Sequence, residues 1–194
     1  MKYDIILAGV GGQGVLSLAT VIAAAAARAG LQIRQSEVHG MAQRGGSVLA
    51  HLRLSDSTIF SDLIPRGRAD LVLAMEPLEA LRYTDFLSPN GAVVSGVEPV
   101  KNIELYPELE RILVSLRSIE RHRLVAATPL AKQAGHARSA NVVLVGSAST
   151  FIPLDQNLFL AGIADIFARK GPEVVSLNQR AFALGRTAPE TATL

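Results

Sequence analysis

The densest chemistry in this chain lies in the stretch Ser36-Glu37-Val38-His39-Gly40-Met41-Ala42-Gln43-Arg44-Gly45-Gly46, which brings together an acid, an imidazole, an amide, a guanidinium and three glycines. Glycine lets the backbone bend around another group, while Gln43 and Arg44 supply donors suited to a carboxylate, a phosphate or a neighbouring chain. A solvated surface loop ahead of a hairpin accounts for the same residues without any ligand. Glu37 and His39 share a face if the backbone stays extended, so His39 either lines a shared active site or holds the loop. A second stretch, Gly9-Val10-Gly11-Gly12-Gln13-Gly14, has the G-x-G-x-x-G spacing between a strand and a helix, where anions approach a helix N-terminus. Glu37 falls 23 residues past Gly14, near where an acid would hold a dinucleotide ribose. Dinucleotide binding is therefore open, and so is a plain tight turn with close helix–sheet packing.

Other chemistries find no support. With no cysteine the chain can hold no disulfide, thiolate nucleophile or cysteine-ligated cluster. No His and acid spacing matches a metal site, and no Ser/His/Asp set or carboxylate pair stands out, so no metal is expected. His51 on a strand face, His122 among Arg117, Arg121 and Arg123, and His136 after a glycine read as structural or solvated. Fifteen of the 19 basic residues are arginine, yet the net charge is only +2, short of the basic stripe of a nucleic-acid binder. The greasiest segment, residues 15–29, contains Ser17, Thr20 and Arg28 and is shorter than the ~20 apolar residues of a membrane span. The N-terminus runs straight into a strand without signal-peptide regions, which makes the cytoplasm the expected location.

The elements that must carry these loops follow from apolar pattern and punctuation. Residues 3–8 (YDIILA) read as a buried strand, 9–14 as a turn, and 15–29 as an alanine-rich helix with Gly30 as its C-terminal cap. Residues 31–37 form a second strand, expected parallel to the first through a right-handed crossover. Residues 47–54 and 58–60, split by Ser55-Asp56-Ser57, suggest a hairpin. Next come a strand at 70–75, a helix at 77–87, a turn at Pro89-Asn90-Gly91 and a strand at 92–95. Residues 106–118 show helical spacing, 124–127 a short strand, and Thr128-Pro129 a helix start. Residues 142–150 suit a buried helix or a strand, and 157–169 and 172–184 read as two helices split by Lys170-Gly171-Pro172. The expectation is one α/β domain over residues 1–186, followed by a loose tail at 187–194. It is three-layered and Rossmann-like, a mainly parallel sheet with helices on both faces and an antiparallel hairpin.

Taken together, GVGGQG at 9–14 and SEVHGMAQRGGSV at 36–48 resemble the gamma subunit or domain of the 2-oxoacid:ferredoxin oxidoreductases. The likeness continues at Asn141-Val142-Val143-Leu144-Val145-Gly146 and at residues 178–185 (NQRAFALG), so it spans nearly the whole chain. The methionine and arginine around His39 look most like the members acting on aryl-pyruvates. The resemblance implies oxidative decarboxylation of a 2-oxoacid, with coenzyme A accepting the acyl group and ferredoxin the electrons. It also implies a large alpha subunit holding thiamine diphosphate, magnesium and iron–sulfur clusters. This chain lacks Gly-Asp-Gly with a following asparagine pair, so it is expected to bind no cofactor and to be inactive alone. It would face substrate, coenzyme A or the partner through Gly9, Gly11, Gly12, Gln13, Gly14, Glu37, His39, Gln43, Arg44, Gly45 and Gly46. Isolated, it would expose apolar surface or self-associate. Neither nucleic acid nor membrane is an expected partner.

Overall fold

The protein was analysed as a computed structural model, which describes residues 1–37 and 45–189. Six strands form one sheet in the order β2-β3-β1-β4-β5-β6. They span Lys2–Val10 (β1), Gln32–Glu37 (β2), Ser47–Ser55 (β3), Ala69–Ala74 (β4), Leu87–Gly96 (β5) and His122–Val125 (β6). β1, β4, β5 and β6 pair in parallel, whereas β3 runs antiparallel to both β1 and β2. Five strands thus point one way and β3 alone is reversed.

Three expectations are refined or corrected by this topology. β2 is parallel in direction to β1 but does not touch it, because β3 lies between them. The antiparallel hairpin is β2 with β3, in register from Gln32↔Ser55 to Glu37↔Ala50, and not residues 47–54 with 58–60. Both edges of β3 are already paired, so residues 58–60 have no ladder to join. The segment that follows them is held by the Arg53 guanidinium, which donates to the carbonyls of Ser61 and Leu63 at 2.9 and 3.1 Å. The Pro89–Gly91 turn is likewise absorbed into β5, as a register shift against β4 between Ala69 and Leu71.

Alternation along β1 sends Ile5 and Leu7 to one face and Ile6 and Ala8 to the other, and each meets its own helical layer. The first face packs against helices Val15–Arg28 (α1), Ala127–Ala134 (α4), Ala140–Ala148 (α5), Gln156–Phe167 (α6) and Pro172–Thr187 (α7). The second is covered by Pro77–Arg82 (α2) and Leu109–Arg117 (α3). α2 is shorter than expected and gives way to a single 3-10 turn at Thr84–Phe86. The ambiguous 142–150 segment is helix α5, apolar on every side because sheet, α1 and α7 all pack against it. α5 and α7 cross in close contact: a Cβ on Gly146 would lie 2.1 Å from the Phe182 carbonyl oxygen, and one on Gly185 would lie 1.9 Å from that of Val143. Only glycine at both positions lets the backbones approach this far. Gly30 caps α1 at φ 72°, as its place in the sequence indicates. α7 runs through Thr187 and Ala188 is buried, while residues 190–194 lie outside the described part.

Candidate functional site

The carboxyl edge of the sheet collects the glycine loop, the start of β3, and the connections after β4 and β5. The loop is built tightly. Gly9 is the last residue but one of β1, and a Cβ there would fall 2.7 Å from Val15 Cγ2 and 3.1 Å from Met75 Cβ. Gln13 folds back so that its Oε1 accepts from Val10 N at 2.7 Å, which makes its side chain a staple of the loop. Gly12 and Gly14 take φ of 100° and 83°, a region L side chains rarely adopt, and Gly14 is the N-cap of α1. Gly11 donates its N–H to the Gly46 carbonyl at 2.8 Å, and Gly45 returns a bond to the Gly11 carbonyl at 3.3 Å. The two glycine-rich segments singled out in the sequence therefore meet in space. His39, Gln43 and Arg44 lie outside the described residues.

Glu37 does not stand where a ribose-binding acid would. It pairs with Ala50, which itself faces Leu7, so it sits two strands from β1, about 9–10 Å away, and short of the loop. With β3 inserted between β2 and β1, Glu37 is displaced from the place of a ribose-binding acid, and the Gly11 N–H is taken by the Gly46 carbonyl. The three histidines read as structural or solvated differ in setting. His51 accepts from Ile64 N at Nδ1 and its ring meets the Phe86 edge; burial, then nearby Arg53, lower its pKa. His122 Nδ1 lies 2.6 Å from the Ile119 carbonyl, and His136 accepts from Arg138 N.

Several residues at this edge escaped sequence reasoning. Glu76, 1% exposed, is the N-cap of α2: its Oε2 accepts from Glu79 N at 2.9 Å, while Oε1 accepts from Val100 N and the Tyr106 hydroxyl. Burial, together with that bond to the carboxylate, pushes the Tyr106 hydroxyl above the ordinary phenol range and keeps it a neutral donor. Glu79 accepts from Ser47 at the start of β3, and Asn102 Nδ2 donates to the Gly45 carbonyl at 2.7 Å. Glu76-Pro77 after a buried strand was a readable signal, an N-cap with proline in the first turn. Asn102 carried none, because its partner is 57 residues away.

Beside the first turns of α1 lies a second feature, a cavity of ≈ 520 Å³ lined by Ser17, Thr20, His136, Arg138, Asn141 and Lys170 with apolar walls from α1, α6 and α7. Among the described residues no carboxylate lines it. Its basic residues were missed because they converge from separate segments, although Asn141 belongs to one of the stretches that carried the resemblance.

Among the described residues no cluster of His, Asp or Glu could hold a metal ion, and no helix is long and apolar enough to cross a membrane.

Residues 4–188 match the model of the pyruvate ferredoxin/flavodoxin oxidoreductase family. The chain belongs to this family. It is 36% identical to the indolepyruvate oxidoreductase subunit IorB of Thermococcus kodakarensis, covering 95% of this chain and 94% of that one. With the same subunit of Archaeoglobus fulgidus it shares 43% identity over 75% of each chain. Among solved structures it superposes on the 2-oxoglutarate:ferredoxin oxidoreductase of Magnetococcus marinus with a TM-score of 0.75 at 25% identity, covering 95% of this chain and 30% of that chain. The pyruvate oxidoreductase subunit PORC of Thermotoga maritima gives 0.70 at 20% identity, covering 95% and 94%, and speaks for the fold. This family member is a small subunit of a 2-oxoacid:ferredoxin oxidoreductase.

Proposed function

We propose that the chain is the small subunit of an aryl-pyruvate, specifically indolepyruvate, oxidoreductase that yields an acyl-CoA. The graded similarity carries the reading. Four indolepyruvate subunits match at 35–43% identity, against 30% for 2-oxoglutarate synthase subunits over about three quarters of the chain and 26% for a ketoisovalerate subunit. In the net reaction the carboxylate leaves as carbon dioxide and the acyl carbon bonds to the coenzyme A sulfur. The electron pair released goes to ferredoxin one electron at a time, and the thiol proton goes to solvent.

The sequence of this chain does not supply the usual holders of such an enzyme's resident cofactors. It has no cysteine for iron–sulfur clusters and no Gly-Asp-Gly with a following asparagine pair for a magnesium-bound diphosphate. Those groups belong to the large partner subunit, and this chain contributes a shaped edge. The glycine loop brings backbone close to whatever the partner presents, and Arg44, next to Gly45 in sequence, offers a bidentate contact to a carboxylate or phosphate. The cavity with Arg138, Lys170 and His136 is chemically suited to coenzyme A phosphates.

Reconstitution tests the assignment. The chain joined to its thiamine diphosphate-bearing partner should reduce ferredoxin with indolepyruvate and coenzyme A at a higher kcat/KM than with pyruvate, 2-oxoglutarate or 2-oxoisovalerate, and neither chain should do so alone. A preference for one of the other acids would reassign the substrate, and activity of this chain alone would refute the subunit role.

A further inference from the structure

The connection between β5 and α3, residues 97–108, crosses the carboxyl edge as a strap, and its fastenings are unusually specific. Val97 donates to the Val125 carbonyl at 3.1 Å, and Glu98 accepts from Thr128 N at 3.0 Å at the start of α4. Val100 N and the Tyr106 hydroxyl both donate to the buried Glu76 carboxylate. Asn102 donates its own N–H to the Val100 carbonyl at 2.8 Å, a tight turn that directs its side chain onto the Gly45 carbonyl. Gly45 is exposed and has φ 79°, so its carbonyl could be solvated with no loss. It is bound instead by a side-chain amide from a distant segment, and the same glycine pair is bonded to Gly11 of the loop.

We infer that Asn102 is a positioning residue for the enzyme's reaction. It acts through Gly45 to hold the glycine pair against the glycine loop, with Glu76 as the buried post that fixes the strap. The inference rests on the proposed reading that this edge faces the reaction in the assembled enzyme. A merely structural role does not suit Asn102, since its bond joins two exposed segments and closes no part of the core.

Amide hydrogen exchange on the isolated chain, followed by kinetics of the reconstituted complex, separates the possibilities. Asn102→Ala and the isosteric Asn102→Asp, which cannot donate to a carbonyl, should both speed exchange at the Gly45 and Gly11 amides about tenfold, the effect of losing one hydrogen bond, with the melting temperature lowered by only ~3–6 °C. In the complex both should lower kcat/KM about tenfold at an unchanged thiamine diphosphate content. Unaltered exchange in Asn102→Asp would overturn the positioning role whatever the kinetics. Faster exchange with full activity would leave the bond intact as a fact of the fold but refute its part in the reaction, and would count against the edge itself facing the chemistry.

Discussion

Glycine serves opposite purposes in two regions of this molecule. At the carboxyl edge Gly12 and Gly45 have positive φ, and among the described residues nothing lies within 4 Å of where a Cβ would stand. At the α5–α7 crossing Gly146 and Gly185 have ordinary φ, yet a Cβ would enter a backbone carbonyl at 2.1 and 1.9 Å. The first pair is glycine for the shape of the chain and leaves room outside it. The second is glycine for the closeness of a neighbour already present. Both regions contributed to the family resemblance, so a motif by itself does not say which residues serve the reaction and which the fold.

The most severe way to probe the contrast is Gly185→Ala. The added methyl cannot be accommodated by rotating a side chain, because the obstacle is backbone inside a packed helix pair, so α7 must move off α5 and take Phe182 with it. The expected cost is ~3 kcal/mol or more. Thermal unfolding followed by circular dichroism should show a melting point lower by about 6–12 °C, on the scale of ~2–4 °C per kcal/mol for a chain this size. A shift of less than a degree would mean that the crossing is looser than described.

Next in size is a variant with the opposite signature. Arg44→Ala should leave the isolated chain's melting temperature nearly unchanged and cut kcat/KM of the reconstituted complex by about tenfold or more, since each ~1.4 kcal/mol is a factor of ten. Arg44 follows Gln43 and precedes Gly45-Gly46, a setting with little apolar surface for its stem to cover. A large loss of stability with normal activity per folded complex would make it structural. Paired with Gly185→Ala, it asks whether the two stretches behind one resemblance separate cleanly into stability and function.

The fold was legible where local pattern decides it. Residues 3–8, the glycine turn, the alanine-rich α1 and its Gly30 cap follow from burial, propensity and left-handed capping, each a property of neighbouring residues. What stayed illegible was non-local. Nothing in residues 31–37 says that β3 will slide between β2 and β1, because an edge strand and an internal one are distinguished by partners that are not adjacent in sequence. The hairpin drawn to residues 58–60 failed for the same reason: Ser55-Asp56-Ser57 is good turn chemistry, but β3 had no free edge left to pair. At the site the glycines were readable from their spacing. Of the residues that fasten them, Glu76 carried a capping signal, whereas Glu79 within α2 and Asn102 in the connection after β5 became visible only through bonds that cross the fold.

The mildest perturbation sharpens the comparison furthest. Gly12→Ala forces an L side chain into φ 100°, a strain of ~1–2 kcal/mol, while the alanine also restricts the unfolded chain and returns ~0.4–1 kcal/mol. The net loss should be about 1 kcal/mol, a melting point lower by only ~2–4 °C. Since no described residue lies within 4 Å of the missing Cβ, packing against the described fold adds nothing to this cost. In the assembled enzyme that space is where a ligand or the partner's backbone would approach, so a methyl there should lower kcat/KM severalfold beyond what the small loss of folded protein explains. Full activity per folded complex would mean that Gly12 is glycine for its dihedral angle alone. The close approach would then have to be made elsewhere along the edge, at Gly11 or Gly45-Gly46.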